Sequence, residues 1–592
     1  MTAAVAPRGR TAKRKTKLGA PLLLLPIFAF LAVFFIYPVF SILAVSVTDR
    51  DGVLSWTNYI ELFRGYNIQV MLTTLKISGW TTLFTILLSY PVAYLLATAR
   101  KGSTNALMLI VLLPLWTSVL VRAFAWIVLF GRNGVINSGL VSIGLVEVPV
   151  EMLFTVFSVV VAMTHALMPI AVLSMYSTMQ NIDRKLELAA ATLGAEPGNA
   201  FWRIYFPISF PGVASAALVT FIVSIGIFVH PTLLGSPSER MIALEIIEQI
   251  DVLYNWGMAA AISVMVLILS IIFIMIFDKF LGIATITGAQ GSGGPSGSAM
   301  RAATAGLGTM TVWLSRITGA LMPKRKLTDG QSRRFALNVV AGLVLTFMAA
   351  PLFFLIPVSF TESAFVEWPP RGFSLQWYEE YFTDPVWREA TIRSIVVGLA
   401  TAILSMLIGV PAAFGINRAR FKGKGLVLPY ILMPLVVPNI IIALALFYFF
   451  AEMQLIGTYI GLVAGHTVIA VPYVVLTLIA VLQNYDHRLD QAAWTLGAST
   501  LTAFRRITLP LIKVGFVTSF LFAFMRSFDE IAIALFVSSG LQSTLPKKLW
   551  SEAHIAVSPT LAAVSTILIA VVALVVVASE LLNRRSAGQK RT

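Results

Sequence analysis

The sequence predicts an all-α polytopic membrane protein with about 12 transmembrane helices in two parallel six-helix repeats. Three observations predict this fold. Hydrophobic residues make up 58% of the 592-residue chain and charged residues 12%, about half the charged share of a soluble domain. Apolar runs of about 20 residues, long enough to cross a bilayer as helices, recur along the chain. A pair of polar loops, one in each half, is nearly the same sequence. A soluble enzyme, a secreted disulfide scaffold and a disordered protein are therefore excluded.

The apolar runs predict twelve spans, and each is expected to be a helix because lipid leaves open backbone groups unsatisfied. The first run follows six basic residues between Arg8 and Lys17 and is too long for a signal h-region, so we expect it to be retained. Prolines inside several spans are expected to kink the helices rather than break them. The predicted spans are 22–47, 75–99, 106–130, 154–177, 205–229, 257–283, 336–360, 391–415, 426–451, 459–482, 512–537 and 557–582.

The basic residues predict the orientation of the chain. The net charge is +16, which in a membrane protein indicates cytoplasmic loops rather than a nucleic-acid partner. An even number of spans puts both termini on one side. Placing them in the cytoplasm puts 30 of the 43 Lys and Arg residues in cytoplasmic segments. We therefore expect both termini to be cytoplasmic. The sequence contains no cysteine, which excludes disulfides, thiolate metal sites and cysteine nucleophiles.

A Gly/Ser-rich stretch divides the chain into three predicted domains. These are a first six-span half (1–284), a cytoplasmic linker (285–330) and a second six-span half (331–592). Within the linker, apolar residues recur at helical spacing from Leu307 to Leu321, before the basic cluster 324–326. This pattern is typical of a helix lying on the inner membrane surface. A poorly ordered tether is the equal alternative.

The two halves repeat each other most clearly in one pair of loops, called here the first loop (180–207) and the second loop (483–510). From Leu186 and Leu489 onward, 12 of 22 positions are identical, without a gap, at an offset of 303. Farther upstream the offset is 320, so the first half carries an insertion of 17 residues near 131–153. Each loop follows an even number of spans, so the repeat is parallel and predicts a pathway between two packed halves.

Each loop predicts a short helix that ends at a glycine. The run before Gly194 is rich in Ala and Leu, which favour helix, and Gly194 permits the left-handed conformation that ends helices. A second short helix is expected before Pro207. The second loop repeats this pattern around Gly497 and Pro510. One such match is common by chance in a chain rich in Ala, Leu and Gly. Two matches in equivalent loops favour a docking surface for a partner.

The loops resemble the EAA motif of permease subunits of bacterial ABC importers, and the chain resembles two such permeases, of the spermidine/putrescine type, fused into one. Both loops depart from the motif at its acidic position, which holds Leu188 in the first loop and Gln491 in the second; an acid stands one residue earlier in each. The candidate coupling residues are Glu187, Ala189, Ala190, Gly194, Ala195, Arg203, Ile204 and Pro207 in the first loop, and Asp490, Gln491, Ala492, Ala493, Gly497, Ala498, Arg506, Ile507 and Pro510 in the second.

The resemblance implies the partners and the location. The loops would dock on a dimer of separate ATPase subunits, an extracytoplasmic solute-binding protein would deliver a small solute, and the chain would lie in the bacterial inner membrane. No phosphate-binding glycine motif with its Lys and Ser/Thr occurs in the sequence. We expect no catalysis, cofactor or metal site in this chain. The alternative is an ion- or proton-coupled secondary transporter of two six-helix halves, which would need neither an ATPase nor duplicated loops.

The segments 112–137 and 526–558 resemble those of spermidine/putrescine-type permeases and suggest a polyamine as the solute. Related importers of aminoethylphosphonate, opines or ferric iron share much of this pattern, so these solutes stay open as alternatives. The candidate pathway residues are Arg122, Asp529 and Glu530, because charges inside a span are costly unless they face water, a partner or a pathway. A structural ion pair, for example with Arg526, is the alternative for the two acids, and a structural or gating role is expected for Arg122. His165 and His466 lie inside apolar spans and are expected to form hydrogen bonds in the core.

Overall fold

The computed structural model describes residues 19–49, 52–183, 185–195, 197–281, 330–418, 424–540, 542–555 and 557–588. These residues form helices, and their only strand-like pairing is a single bridge between Thr48 and Leu54. The predicted linker helix and its basic cluster lie outside the described residues. The main helices are α1 (Leu25–Ser46), α2 (Tyr66–Thr98), α3 (Lys101–Trp116), α4 (Val119–Phe130), α5 (Val135–Ser142), α6 (Val156–Met179), α7 (Lys185–Thr192), α8 (Gly198–Ile225), α9 (Val229–Leu234), α10 (Ile242–Asp251), α11 (Trp256–Leu281), α12 (Gly330–Val358), α13 (Gln376–Thr383), α14 (Pro385–Arg418), α15 (Lys424–Val436), α16 (Asn439–Glu452), α17 (Tyr459–Gln483), α18 (Arg488–Thr495), α19 (Thr500–Phe528), α20 (Ala532–Val537), α21 (Leu545–Ile555) and α22 (Pro559–Gly588).

The fold is an all-α polytopic membrane protein, as predicted. Within the described part of the chain, ten helical segments are long and apolar enough to cross a membrane, one of them being α4 and α5 taken together, and there are eleven if the bent pair α15 and α16 is counted as one span. The last predicted span corresponds to α22. Its apolar part, Pro559–Leu574, is shorter than the helices counted above and is not one of them.

Spans three and nine are broken, and the expectation of continuous, proline-kinked helices is wrong there. The first break separates α3 from α4 at residues 117–118, and the second separates α15 from α16 at 437–438, with a bend of 91°. The two breaks are equivalent at the offset of 320. Pro438 accounts for the second one, because a residue that precedes proline disfavours the helical conformation. At the first, the Thr117 hydroxyl donates to the Leu113 carbonyl (2.8 Å) and so satisfies an open helix end.

Spans five and eleven also end earlier than predicted. Helix α8 stops at Ile225 and the six-residue α9 follows; α19 stops at Phe528 and the six-residue α20 follows. The offset of 303 relates both pairs. In the second half the break falls at two adjacent acids, so the predicted single span 512–537 is wrong. These carboxylates accept hydrogen bonds from backbone N–H groups at helix starts. Because the open donors are satisfied, a helix can break inside the membrane.

The described residues form two compact units, each made of separate stretches of sequence. One contains residues up to Tyr37 together with 397–435 and 463–527. In this unit α1 packs on second-half helices: the Tyr430 hydroxyl donates to the Phe28 carbonyl (3.2 Å), and the two rings lie 4.7 Å apart. The apolar core of this unit is built from α14, α17 and α19, including Phe414, Val474 and Ile512.

The other unit contains Pro38–Val396, Val436–Leu462 and the chain from Phe528 onward. Here α12, the first helix of the second half, packs on first-half helices. Val344 and Met348 share a buried core with Val92 and Met168. The Met348 carbonyl accepts a hydrogen bond from Nε2 of His165 (2.9 Å). The first helix of each half therefore packs against helices of the other half. The domain boundary at 285–330 stays a prediction.

Candidate functional site

The helix of the first loop ends as its sequence predicts. Gly194 follows α7 in the left-handed conformation, with φ of 84°. Its N–H donates to the Ala191 carbonyl (3.0 Å), and the Ala195 N–H donates to the Ala190 carbonyl (2.9 Å). These two bonds satisfy carbonyls that the end of a helix leaves open.

The second loop repeats this geometry. Gly497 follows α18 with φ of 85°. The N–H groups of Gly497 and Ala498 donate to the carbonyls of Trp494 and Ala493, each at 3.0 Å. A side-chain carbon added at Gly194 or at Gly497 would meet no atom within 4 Å. The glycines are therefore required by the backbone conformation and not by crowding.

The paired alanines of each loop differ in exposure. Ala190 and Ala493 are buried against their own units, at 8% and 6% exposure. Ala189 and Ala492 are exposed. Each short helix thus has one face packed on the transmembrane helices beside it and one face open.

The acid of the second loop faces inward. Asp490 is buried, and its Oδ1 accepts hydrogen bonds from the hydroxyls of Tyr485 and Thr508, both at 2.8 Å. These bonds connect α18 with the residue before it, Tyr485, and with Thr508 in the helix that follows, α19. Glu187 is half-buried, and its Oε1 has no hydrogen-bond partner within the described chain. The predicted coupling residue Asp490 therefore holds the loop in shape and does not lie on its open face.

The chain after each glycine differs from the prediction. The expected second short helix is not separate, because it continues into α8 in the first loop and into α19 in the second. Each of these helices contains one wider π-turn, at Phe201–Tyr205 and at Phe504–Thr508, which are equivalent positions. Of the candidate residues in this stretch, Arg203, Arg506 and Pro510 are exposed, and Ile204, Ile507 and Pro207 are half-buried.

The three candidate pathway residues lie at helix breaks. Arg122 is buried one turn into α4, and its Nη1 donates to the Ala166 carbonyl (3.0 Å). Oδ1 of Asp529 accepts the Val119 N–H (3.1 Å) at the start of the same helix. A carboxylate at a helix N-terminus satisfies open donors and the helix dipole. Asp529 and Arg122 also interact electrostatically.

Glu530 has a similar contact. Its Oε1 accepts the N–H groups of Ala532 (3.0 Å) and Ile533 (3.2 Å), the first turn of α20. Both acids therefore stabilise helix starts, which is a structural role that the sequence did not distinguish from solute binding. A role in the pathway stays a prediction for all three residues.

The expectation for the two histidines is confirmed. His165 bonds to the Met348 carbonyl and His466 Nδ1 bonds to the Ser527 hydroxyl (2.8 Å). Two exposed leucines were not among the candidate residues. Leu193 and Leu496, each directly before its glycine, are both 88% exposed. The sequence shows only that the same leucine stands directly before the same glycine in both loops.

Comparisons with known proteins agree with the two-half organisation. The sequence profile of the family described as "Binding-protein-dependent transport system inner membrane component" matches twice, at residues 89–281 and 405–588. The spermidine/putrescine transport system permease protein PotC of Haemophilus influenzae is 30% identical over 256 residues, covering 43% of this chain and 99% of PotC. PotB of the same organism is 29% identical over 259 residues, 43% of this chain and 91% of PotB. PotC of Escherichia coli K12 is 31% identical over 245 residues, 41% of this chain and 91% of that protein.

Among solved structures, the chain is similar to a bacterial alginate ABC transporter in complex with an alginate-bound periplasmic protein. The TM-score is 0.40 at 18% identity, covering 46% of this chain and 95% of that chain. The two profile matches together cover more than half of the sequence. The chain therefore belongs to the family of binding-protein-dependent transport system inner membrane components, with two copies of the family domain in one polypeptide.

Proposed function

We propose that this chain is the membrane-spanning permease of an ATP-driven importer, coupled to a dimer of separate ATPase subunits through its two loops. The observation that carries the proposal is the pair of matching loop helices, each ended by a left-handed glycine with the same two hydrogen bonds. Each helix continues through its loop into a long membrane helix, α8 or α19. A force applied to either loop would therefore reach the membrane core through packed helices.

The solute that we propose is a polyamine, delivered by an extracytoplasmic binding protein. The support is the similarity to PotB and PotC, which are named as spermidine/putrescine permeases. The proposal includes an inner-membrane location with both termini cytoplasmic, as the distribution of Lys and Arg indicates.

Reconstitution tests the proposal. The chain would be placed in proteoliposomes with the ATPase subunit that co-purifies with it and the binding protein of the same importer. We expect uptake of radiolabelled putrescine or spermidine that requires ATP and the binding protein. Uptake that a proton gradient drives without ATPase or ATP would instead support the secondary transporter. ATP-dependent uptake of a phosphonate but not of a polyamine would refute the solute and leave the importer intact.

A further inference from the structure

An apolar groove lies between α2, α6 and α12, within one compact unit. Its volume is about 460 Å³, which is in the usual range for a small-molecule site. Its walls include Trp80 and Phe84 from α2, Phe157 from α6 and Phe347 from α12. The first three side chains are 46%, 42% and 57% exposed. Because the three helices are candidate membrane spans, the groove opens to lipid.

The groove is held in shape by packing around it. The ring of Phe347 lies 5.4 Å from the ring of Trp126 and 5.7 Å from that of His165, centre to centre. On α2 the rings of Trp80 and Phe84 stack at 5.9 Å. A fixed shape matters in a membrane, because apolar contact alone gives little preference for protein over lipid tails. An occupant is retained there by its fit and by its polar end.

A cation stands at one end of the groove. Lys76, Trp80 and Phe84 follow each other at four-residue spacing and therefore lie along one side of α2. Lys76 is exposed and forms no ion pair with a residue that the structure describes. The other side of this turn is packed, since the Thr74 hydroxyl oxygen accepts the Ile242 N–H (2.8 Å). The lysine ammonium therefore lies on the same open side of α2 as the groove.

The position of Lys76 along α2 matches the level of lipid headgroups. Lys76 stands about 22 residues, or ~33 Å, before Thr98, where α2 ends. The hydrocarbon core of a bilayer is about 30 Å thick, so these two residues lie near its opposite surfaces. Leu88, which lines the groove, is about 18 Å from Lys76 along the helix and therefore lies near the middle of the bilayer. The groove thus occupies a single leaflet.

The second half lacks these side chains although it shares the surrounding fold. Ser394, the equivalent of Thr74, accepts the Leu545 N–H (2.7 Å) in the same way. The positions on α14 that correspond to the lysine and the two rings hold Val396, Ala400 and Leu404. The shared fold therefore does not require a cation and two aromatic rings on this side of the helix, which indicates a site that is particular to the first half.

We propose that the groove holds one anionic phospholipid of the outer leaflet, with an acyl chain beside Trp80 and Phe84 and the headgroup at Lys76. The inference rests on the proposed function only for the orientation that makes this leaflet the outer one. A basic residue at the membrane surface attracts anionic lipid by about fivefold. Because α12 comes from the second half of the sequence, a lipid in the groove contacts helices of both halves and would stabilise their packing.

A helix of another membrane protein fits the groove less well. From Trp80 to Leu88 the groove follows α2 for about 12 Å. A volume of about 460 Å³ over this length gives a cross-section of roughly 40 Å². A helix about 10 Å wide has a cross-section of roughly 80 Å². The groove therefore has room for extended hydrocarbon chains and not for a helix.

The first test measures the lipid bound to the purified full-length chain by native mass spectrometry, with phosphatidylglycerol or phosphatidylethanolamine added. We expect one phosphatidylglycerol to bind more tightly than phosphatidylethanolamine. Lys76→Gln should weaken phosphatidylglycerol binding by about fivefold. Arg64→Gln is the matched control, because Arg64 is exposed just before α2, and it should bind as the wild type does. Equal binding of the two lipids, or equal binding by the wild type and Lys76→Gln, would refute the proposal while leaving the importer intact.

The second test fills the groove. Val161 lines it and is half-buried, so Val161→Phe should remove the bound lipid. Leu87→Phe is the control, since Leu87 is 57% exposed on α2 and does not line the groove. Added phosphatidylglycerol should raise the Tm of the wild type and of Leu87→Phe but not that of Val161→Phe. Lipid retention by Val161→Phe would overturn the site. A photo-crosslinker at position 84 that captures another membrane protein and no lipid would also overturn it.

Discussion

The left-handed glycines allow a quantitative test of how rigid the two loops must be. At Gly194 φ is 84°, and an added side-chain carbon would meet no atom within 4 Å. The cost of Gly194→Ala is therefore the backbone cost alone, about 1–2 kcal/mol for an L-residue in this region. That reduces the equilibrium constant for the observed loop conformation about 5- to 30-fold. A β-branched residue such as Val should cost more, because positive φ is rare for it.

The assay is the ratio of solute transported to ATP hydrolysed in proteoliposomes that contain the ATPase subunit and the binding protein. We expect the ratio to fall in the order Gly, Asn, Ala, Val at position 194 and again at 497, because Asn tolerates positive φ. Gly139→Val is the control, since a side chain there also meets open space but φ is not left-handed. Wild-type coupling in both Gly194→Val and Gly497→Val would refute the role of the loop conformation.

Substitutions at three further positions test contacts that the structure shows. Asp490→Ala leaves two buried hydroxyls without their acceptor, so the free energy of unfolding should fall by about 1–3 kcal/mol, measured by thermal denaturation in detergent. Asp529→Ala removes the acceptor at the start of α4 and should cost about 0.5–2 kcal/mol, whereas Asp529→Asn, which keeps an oxygen, should cost less. Burial lowers the pKa of Lys547, against attraction by Asp251. The native protein then releases this proton at lower pH than the unfolded chain, so Lys547 should add to stability as the pH rises toward 10.5, and Lys547→Gln should lack that contribution when its melts are compared with those of the wild type.

The positions of the spans and loops could be predicted from the sequence because both follow from local pattern. Apolar length locates a membrane helix without any tertiary information. The loop helices follow from the run of Ala and Leu before Gly194 and Gly497, and the repeat at a constant offset makes the pattern specific. The coupling role of these loops stays a prediction, whereas their helical geometry is confirmed.

Hydropathy could not predict the breaks in spans three and nine, and only the second break has a local sequence signal, Pro438. Thr117, Ser118 and Val437 are all acceptable in an apolar helix, so hydropathy continues across both breaks. The proline inside each run, Pro114 or Pro434, lies within the last turn of the helix before the break and does not by itself end it. Contacts from distant residues decide where the next helix begins, as the bond from Val119 to Asp529 shows.

The sequence also could not predict which side chains of the loop helices are buried and which are exposed. Leu193 and Ala190 are both apolar residues of one short segment, yet one is almost fully exposed and the other buried. Glu187 and Asp490 occupy equivalent positions, but only the second half supplies Tyr485 as a donor to its acid. Which face of a short helix packs depends on the helices beside it, and a single sequence does not give that packing.

The first helix of the second half completes a core that belongs to the first half. Helix α12 contributes Val344 and Met348 to a core that otherwise consists of first-half residues such as Met168 and Val92. Without α12, these buried side chains and the Nε2–H of His165, which bonds to the Met348 carbonyl, would lose their partners. An unpaired donor in lipid is costly, so the first sequence half does not contain all the helices that its core requires. One continuous chain supplies α12 together with the first-half helices that it packs against. The boundary between the packed units therefore differs from the boundary between the two sequence repeats.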